Sequence, residues 1–447
     1  MDSSRRDTIK KGVTLLAGAG MGIPFGGQLL ANTRRSAPSD TVNVALIGAR
    51  NRGFAVLKNH LNLSDTKCVA ICDVDENVLD SRTRELTEKF GQHPKQYSDY
   101  RKMLENKDID AVIIGTPDHW HCLPYVHACQ QGMDVYVEKP MANSIGECNI
   151  MVQAANKYNR IVQVGQQQRS SKHWQDIMQK IGSGSLGKLR KVEIWGNFNY
   201  GIGSKIVPDE PVPSGVDYDF WLGPAPKRAT FNTNRFHSNW RMWWDYGGGL
   251  MTDWGVHLVD MGLWAGGIKD DPAKVLAYGK NLSFSDHAHE TFDTMSVTWP
   301  LQDYIMTWEH TAGTQNGPYD MPYGIRFICD QATILADRAG YRVLAAREEQ
   351  KKEGTIQEQQ YSRENMPFDL HARNFVDCIK DREKTVCPPE TGRQVALFTH
   401  MANIAVRTGE YMLDWDSEKN HFTNSIKANE YIVPEYRKPW KLPLQEK

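Results

Sequence analysis

Val42-Asn43-Val44-Ala45-Leu46-Ile47-Gly48-Ala49-Arg50-Asn51-Arg52-Gly53 is the stretch that decides the fold of this chain. A short apolar strand runs straight into a glycine-bounded turn, and residues from about Phe54 to Leu61 then read as a helix. Strand, glycine turn and helix form the context in which a dinucleotide pyrophosphate is held. Gly48 allows the tight turn, Gly53 allows helix and strand to approach, and the first N–H groups of the helix face the phosphates. Arg50 stands where the middle glycine of G-x-G-x-x-G is expected, so the turn alone is a weak signal.

The next strand strengthens it. Lys67-Cys68-Val69-Ala70-Ile71-Cys72 ends on Asp73. An acid there accepts hydrogen bonds from the adenosine ribose and repels a 2′-phosphate, which favours NAD over NADP. Arg50 and Arg52 are the residues that could meet a phosphate instead. Helix and strand go on alternating. A helix over 77–90 leads to strand Asp110–Gly115, the turn Thr116-Pro117-Asp118-His119-Trp120-His121, and a helix to Gly132. Strand Asp134–Val137 then ends on Glu138-Lys139-Pro140, followed by a helix over 147–158 and a strand over 160–165. This regularity predicts a Rossmann-type, doubly wound parallel sheet over residues 41–166, in an α/β fold. Ligands of such sheets bind beyond the carboxyl ends of the strands, where Lys139 falls.

Beyond Gln166 the rhythm changes. A helix over 171–181 and a strand over 189–195 precede a proline-rich loop, 208–226, and Gly247-Gly248-Gly249 leads into a helix over 250–264. Strands are expected at 275–279, 293–299, 304–310, 324–329, 333–337 and 341–345, with helices at 371–382 and 392–409. The reading is a second α+β domain, 167–447, on a large, mostly antiparallel sheet, with a tail wrapping the body. The polar stretch 350–363 is expected to be a mobile loop.

A formal net charge of −1 argues against nucleic acid or an anionic membrane as partner. Many of the tryptophans and tyrosines lie between Trp174 and Trp264, and aromatic faces serve sugar rings as well as cores. The eight cysteines include no C-x-x-C pair and read as buried small hydrophobes. Asp286-His287-Ala288-His289-Glu290 has loop-like spacing, and no metal is expected. At the amino terminus, Ser4-Arg5-Arg6-Asp7-Thr8-Ile9-Lys10 precedes a weakly apolar run and Leu29-Leu30-Ala31. This is the pattern of a twin-arginine (Tat) signal with linker over residues 1–40, and it predicts export of a folded protein to the periplasm without a membrane anchor.

The glycine turn, Asp73, Thr116-Pro117, Glu138-Lys139-Pro140 and Gly247-Gly248-Gly249-x-x-x-Asp253-x-x-x-His257, in that order, resemble the Gfo/Idh/MocA oxidoreductases over nearly the whole mature chain. Asn374-Phe375-x-Asp377-Cys378 and Asn403-Ile404-Ala405 resemble the closing helices of Tat-exported members. The resemblance implies a two-domain NAD(P)-dependent enzyme acting on a sugar, cyclitol or glycoside, assembled as a homodimer or homotetramer through the open sheet. Lys139, Asp253 and His257 are the expected catalytic residues. Asp253 and His257, four apart on a helix, face one way. His257 serves as base in oxidation and acid in reduction, Lys139 holds the substrate oxygen, and Asp253 orients ring hydroxyls or His257. Gly48, Arg50, Arg52, Gly53, Asp73, Thr116, Pro117, His121 and Glu138 are expected around the cofactor, and Arg169, Trp240, Arg241 and Tyr246 around the substrate. The leading expectation is a sugar or glycoside dehydrogenase with tightly bound NAD, recycled in place. The alternative is an NAD-dependent glycoside hydrolase working by transient C3 oxidation and elimination.

Overall fold

The computed structural model describes residues 41–362 and 367–444. The proposed export signal lies outside them. The first part of the chain alternates β1 (Val42–Ile47), α1 (Asn51–Leu61), β2 (Thr66–Cys72), α2 (Glu76–Phe90), β3 (Lys95–Tyr97), α3 (Tyr100–Met103), β4 (Ala111–Ile114), α4 (Cys122–Gln130), β5 (Asp134–Val137), α5 (Ile145–Tyr158) and β6 (Val162–Val164). The strands pair in parallel in the order β3-β2-β1-β4-β5-β6. Both faces are covered, so β4 and β5 are buried at every position, and apart from Asp134 they read as apolar runs rather than alternating ones. The strand order reverses between β1 and β4, and the crevice beyond their carboxyl ends is the binding position of such a sheet.

The helix after the glycine turn starts at Asn51, earlier than its apolar spacing suggests. Arg50 stays extended as its N-cap, and Gly53 lies inside the first helical turn. A Cβ on Gly53 would stand 2.0 Å from the Gly48 carbonyl oxygen, so the turn and the helix are in direct backbone contact. Gly48 itself has φ +83°, a conformation that L side chains rarely adopt.

The second sheet has ten strands. Their order is Gln359–Ser362, Gly340–Ala345, Ala332–Ala336, Tyr323–Cys329, Leu189–Gly196, Ile305–Thr311, Thr294–Pro300, Lys274–Lys280, Met412–Asp416 and His421–Phe422. All described pairings are antiparallel except Leu189–Gly196 with Ile305–Thr311. Gln359–Ser362, expected as part of a mobile loop, is an edge strand, because its backbone completes the hydrogen bonding of Gly340–Val343. One face packs against the helices Lys172–Gly182, Val256–Ala265 and Pro389–Thr408 around Trp174, Trp299, Trp308 and Phe398. Leu276, Tyr278, Ile305, Tyr411 and Met412 are exposed on this sheet. Among the described residues no helix is long and apolar enough to cross a membrane.

Two excursions return to the first sheet. Phe375, Val376 and Ile379 of the helix Phe368–Asp381 share a core with Phe54, Leu57 and Tyr136. The segment between Gly196 and the Gly247 turn forms a strap whose own core is Tyr218, Trp221, Phe231, Phe236, Trp240 and Tyr246. Much of the aromatic density seen in the sequence is therefore the strap's internal packing. Backbone bonds Asp217 N–H to Val74 C=O and Glu76 N–H to Gly215 C=O, each 2.9 Å, pin the strap to the end of β2 and the start of α2. The tail holds it from outside: Arg437 N–H donates to Pro224 C=O, and Trp440 packs edge-on to Trp120 and Phe220. All eight cysteines are free and buried.

Candidate active site

The crevice at the switch point opens into a cleft of about 1230 Å³, counting the space open to solvent. One end is walled by Asp73, Val78 and Ser98 from the parallel sheet's edge and by Phe236, His237 and Ser238 from the strap. The middle is Gly48, Arg50, Asn51 and Arg52. The far end is Thr116, Pro117, Asp118, Glu138, Lys139, Trp240, Arg241 and Asp253.

This cleft fits a dinucleotide by its own chemistry. The first turn of α1 has no side-chain cap and no acidic residue, leaving its N–H groups and the helix dipole for an anion. Asp73 accepts from Ala49 N–H at 2.7 Å and from Asp75 N–H at 3.1 Å. It does not cap α2; Asp75 does, accepting from Asn77 N–H. Asp73 thus keeps acceptor capacity toward the cleft, where a ribose diol would bind. Burial lifts its carboxyl to about 6, against the two backbone donors that stabilise the ion. The ionised form is the better acceptor, and it is lost as pH falls through that value. NAD affinity is therefore expected to weaken on acidification through pH 6. Asp73→Ala should abolish that pH dependence and raise affinity for NADP relative to NAD, both read by isothermal titration.

At the far end, Asp253 gathers the chemistry. Lys139 Nζ donates to its Oδ1 at 2.6 Å and to its backbone carbonyl at 2.7 Å. Arg241 Nε donates to Oδ1 at 3.2 Å, and the Tyr200 hydroxyl to Oδ2 at 2.6 Å. Burial opposes ionisation of this carboxyl, but the Lys139 and Arg241 charges outweigh it and hold the group well below the usual carboxylate range. Asp253 is thus a fixed anion that positions Lys139, with side chains only 12% and 15% exposed in the pair. It sits in a π-helical turn, Met251–Gly255, which runs into the helix Val256–Ala265. Such turns change the angular register of a helix, which the four-residue spacing to His257 did not anticipate. Asp253 makes no hydrogen bond to His257. That imidazole is buried against the edge of Trp254, its Nδ1 has no partner, and it does not line the main cleft. Burial, then the Arg338 and Lys139 charges, push it well below the ordinary histidine value, so it is a neutral proton acceptor.

Several other expected residues are in place. Trp240 and Arg241 line the cleft, with the guanidinium 4.4 Å over the indole. Arg52 and Glu138 form a 3.0 Å ion pair beneath it. Three further expectations differ from the structure. His121 is buried as a bracket, one ring nitrogen 2.8 Å from Pro140 C=O and the other 3.0 Å from Thr116 C=O. It positions the Thr116–Pro117 turn against the Lys139 strand end and does not line the cleft. Arg169 is spent on a buried bidentate pair with Asp260 and lies over Trp264, because the fold turns it into the second domain's core. Tyr246 is fully buried against Trp221 and His119 inside the strap. Sequence reasoning missed Tyr200, Asp118 and the strap residues Phe236 to Ser238. Asp118 stood beside a noted motif; Tyr200 and the strap had no local signal. Burial pushes the Asp118 carboxyl well above the carboxylate range, so its protonated form can donate as well as accept.

A doubly wound domain is thus joined to an open-sheet domain, with a lysine–aspartate pair at the switch-point crevice. Residues 42–166 match the family profile described as "Oxidoreductase family, NAD-binding Rossmann fold", and residues 172–290 and 352–442 match "Oxidoreductase family, C-terminal alpha/beta domain". The chain belongs to the Gfo/Idh/MocA oxidoreductases. Among curated relatives, a glycosyl hydrolase family 109 protein of Shewanella pealeana is 30% identical over 154 residues, 34% of each chain. One from Shewanella baltica is 29% identical over the same length. The match thus spans about a third of these relatives' length. Among solved structures, aldose-aldose oxidoreductase from Caulobacter crescentus, complexed with glycerol, superposes with a TM-score of 0.62 at 16% identity, covering 84% of this chain and 99% of that one. Levoglucosan dehydrogenase, in complex with NADH and levoglucosan, gives 0.64 at 16% identity, with the same coverage. At this identity these two share the fold.

Proposed function

We propose that the protein is an NAD-dependent sugar or glycoside dehydrogenase acting on a secondary hydroxyl or keto group. The observation that supports it most is the 2.6 Å Lys139–Asp253 pair at the reactive end of the cleft. The nicotinamide of bound NAD would accept or return the substrate's hydride. Gly48, Asn51 and the α1 N-terminus would hold the pyrophosphate, Asp73 the adenosine ribose, and Thr116 and Pro117 the nicotinamide side.

Lys139 is aimed by Asp253 so that a free N–H meets the substrate oxygen and stabilises alkoxide as it develops. Its ammonium is attractive to that oxygen only while Asp253 keeps it oriented, which explains the carboxylate's three donors. As Lys139 takes the hydroxyl proton it would release one of its own to neutral His257, one helical turn beyond Asp253; the reverse path would serve reduction. Because His257 is held neutral well below the ordinary histidine pKa, the acid limb of kcat for oxidation should lie well under pH 6.5. A kcat profile that falls around the ordinary histidine value would contradict His257 as the acceptor.

The strap crosses the adenosine end of the cleft and is itself held by the tail, which favours a cofactor that seldom leaves. This suits export by the twin-arginine route with NAD on board and regeneration by a second sugar. The exposed sheet residues Leu276, Tyr278, Ile305, Tyr411 and Met412 suit a homodimer or homotetramer. The test is to denature purified protein, identify the released nucleotide, and screen sugars for absorbance change of the bound cofactor. Nucleotide-free protein with millimolar-scale affinity for NAD would overturn the tight-binding reading.

The Shewanella relatives support a second reading, a glycoside hydrolase using NAD by transient oxidation at C3 and elimination. Release of nitrophenol from nitrophenyl glycosides without added NAD would place it first.

A further inference from the structure

Around the reactive end, three cations have a carboxylate: Arg52 has Glu138, and Lys139 and Arg241 share Asp253. Arg338 has none. It sits in the turn between Ala332–Ala336 and Gly340–Ala345. Its Nε donates to Gln168 Oε1 at 2.9 Å, and its guanidinium lies 4.2 Å over the Trp254 ring. Gln168 in turn donates to the His257 carbonyl at 3.1 Å, and the His257 ring meets the edge of the same Trp254 at 5.6 Å. The two terminal nitrogens of Arg338 make no hydrogen bond among the described residues. Its neighbour Asp337 is occupied by the Ala339 and Gly340 N–H groups. Burial and the Arg52 charge disfavour this cation and outweigh Tyr323 and the Asp253 charge, which favour it, yet guanidinium does not give up its proton in proteins. A half-buried charge without a counterion is costly unless something anionic completes the site.

The neighbourhood shows where that completion would come from. Trp254 borders an open recess with Tyr200, Arg241 and Asp253, the last two of which also line the main cleft. Trp254, which carries Arg338 on its ring, is thus a wall of the space that adjoins the Lys139–Asp253 pair. We propose that Arg338 receives an anionic group on the substrate, a carboxylate or a sulfate ester, and that the site therefore takes acidic saccharides. This rests on the dehydrogenase reading above and narrows it. The planar guanidinium, held at Nε by Gln168, presents its terminal N–H pair to two oxygens at once, a geometry lysine cannot supply. Arg338 is also the foremost charge disfavouring protonation of His257. An anion bound there offsets that charge, so the proper substrate makes His257 a stronger base on arrival.

The experiment is isothermal titration of the protein as purified, nucleotide retained, with D-glucuronate, D-glucose 6-sulfate and D-glucose. At least one acid should bind at least about tenfold tighter than glucose, equivalent to ~1.4 kcal/mol. The stronger of the two acids identifies the anion. Arg338→Met should remove the difference while retaining nucleotide, and Arg338→Lys should keep part of it. Glucose binding as tightly as both acids, no binding of either acid, or an undiminished acid preference in Arg338→Met overturns the proposal. If the methionine variant does not fold, the wild-type preference and the lysine variant decide. Binding is read without turnover, so the two ideas fail separately. Oxidation of neutral sugars with no acid preference removes only this proposal. Acid preference with no change of the bound nicotinamide under any sugar removes only the dehydrogenase reading.

Discussion

Lys139→Met is expected to slow hydride transfer by about 10²–10⁴-fold, the range seen when a positioned proton donor or oxyanion donor is lost. The methylene stem survives, so the wall of the cleft keeps its shape. Asp253 does not become an orphaned buried carboxylate, because Arg241 and Tyr200 still donate to it. The full ~3–5 kcal/mol of breaking a buried pair should therefore not appear in stability. The protein should fold and carry its nucleotide, and should fail only at chemistry. Single-turnover absorbance of the bound nicotinamide at saturating sugar measures this, with nucleotide content as the control. A variant within about threefold of the parent would remove Lys139 from the catalytic step, an outcome the expected range excludes.

Gly53→Ala is expected to be the most damaging single methyl in the nucleotide domain. Its Cβ would lie 2.0 Å from Gly48 O and 3.2 Å from Gly115 Cα, both backbone atoms with no rotamer to yield. Helix α1 must move off the sheet, carrying the phosphate-facing N–H groups with it. The cost should reach about 3 kcal/mol, the upper end of ordinary overpacking, and nucleotide content should fall with it. Gly182→Ala is the matched control. It ends the helix Lys172–Gly182, has nothing within 4 Å of the added carbon, and should be neutral or slightly stabilising. Denaturant midpoints and nucleotide per chain distinguish the two.

Much of this was legible because local chemistry dictates it. The strand, the glycine turn and Asp73 lie within one βαβ unit, where chain connectivity alone brings them together. Trp240 and Arg241 line the cleft, as expected of residues a few positions before the glycine turn. Long-range contacts were less readable. Arg169 looked available for substrate, and only the packing of the helix Val256–Ala265 brings Asp260 to it. His121 looked like a cofactor ligand until β5 delivered Pro140 to its ring. Tyr246 read as a pocket wall, and the strap folds it inward. Gln359–Ser362 lacks a strong strand pattern and is a strand because the neighbouring edge needs backbone partners.

The sequence by itself determined the doubly wound sheet, the binding crevice at its switch point and the presence there of Lys139, since apolar runs, turns and strand ends are properties of short segments. It also carried the family. Only the tertiary structure decided what surrounds that lysine. Asp253 is turned onto it by a π-helical turn; Tyr200, Arg241 and Arg338 converge from segments up to a hundred and more residues away in sequence. The strap closes the adenosine end through backbone bonds that no side-chain pattern announces. Hydrogen bonds and ion pairs between distant segments depend on atoms being brought within about 3 Å, and that is a property of the assembled fold.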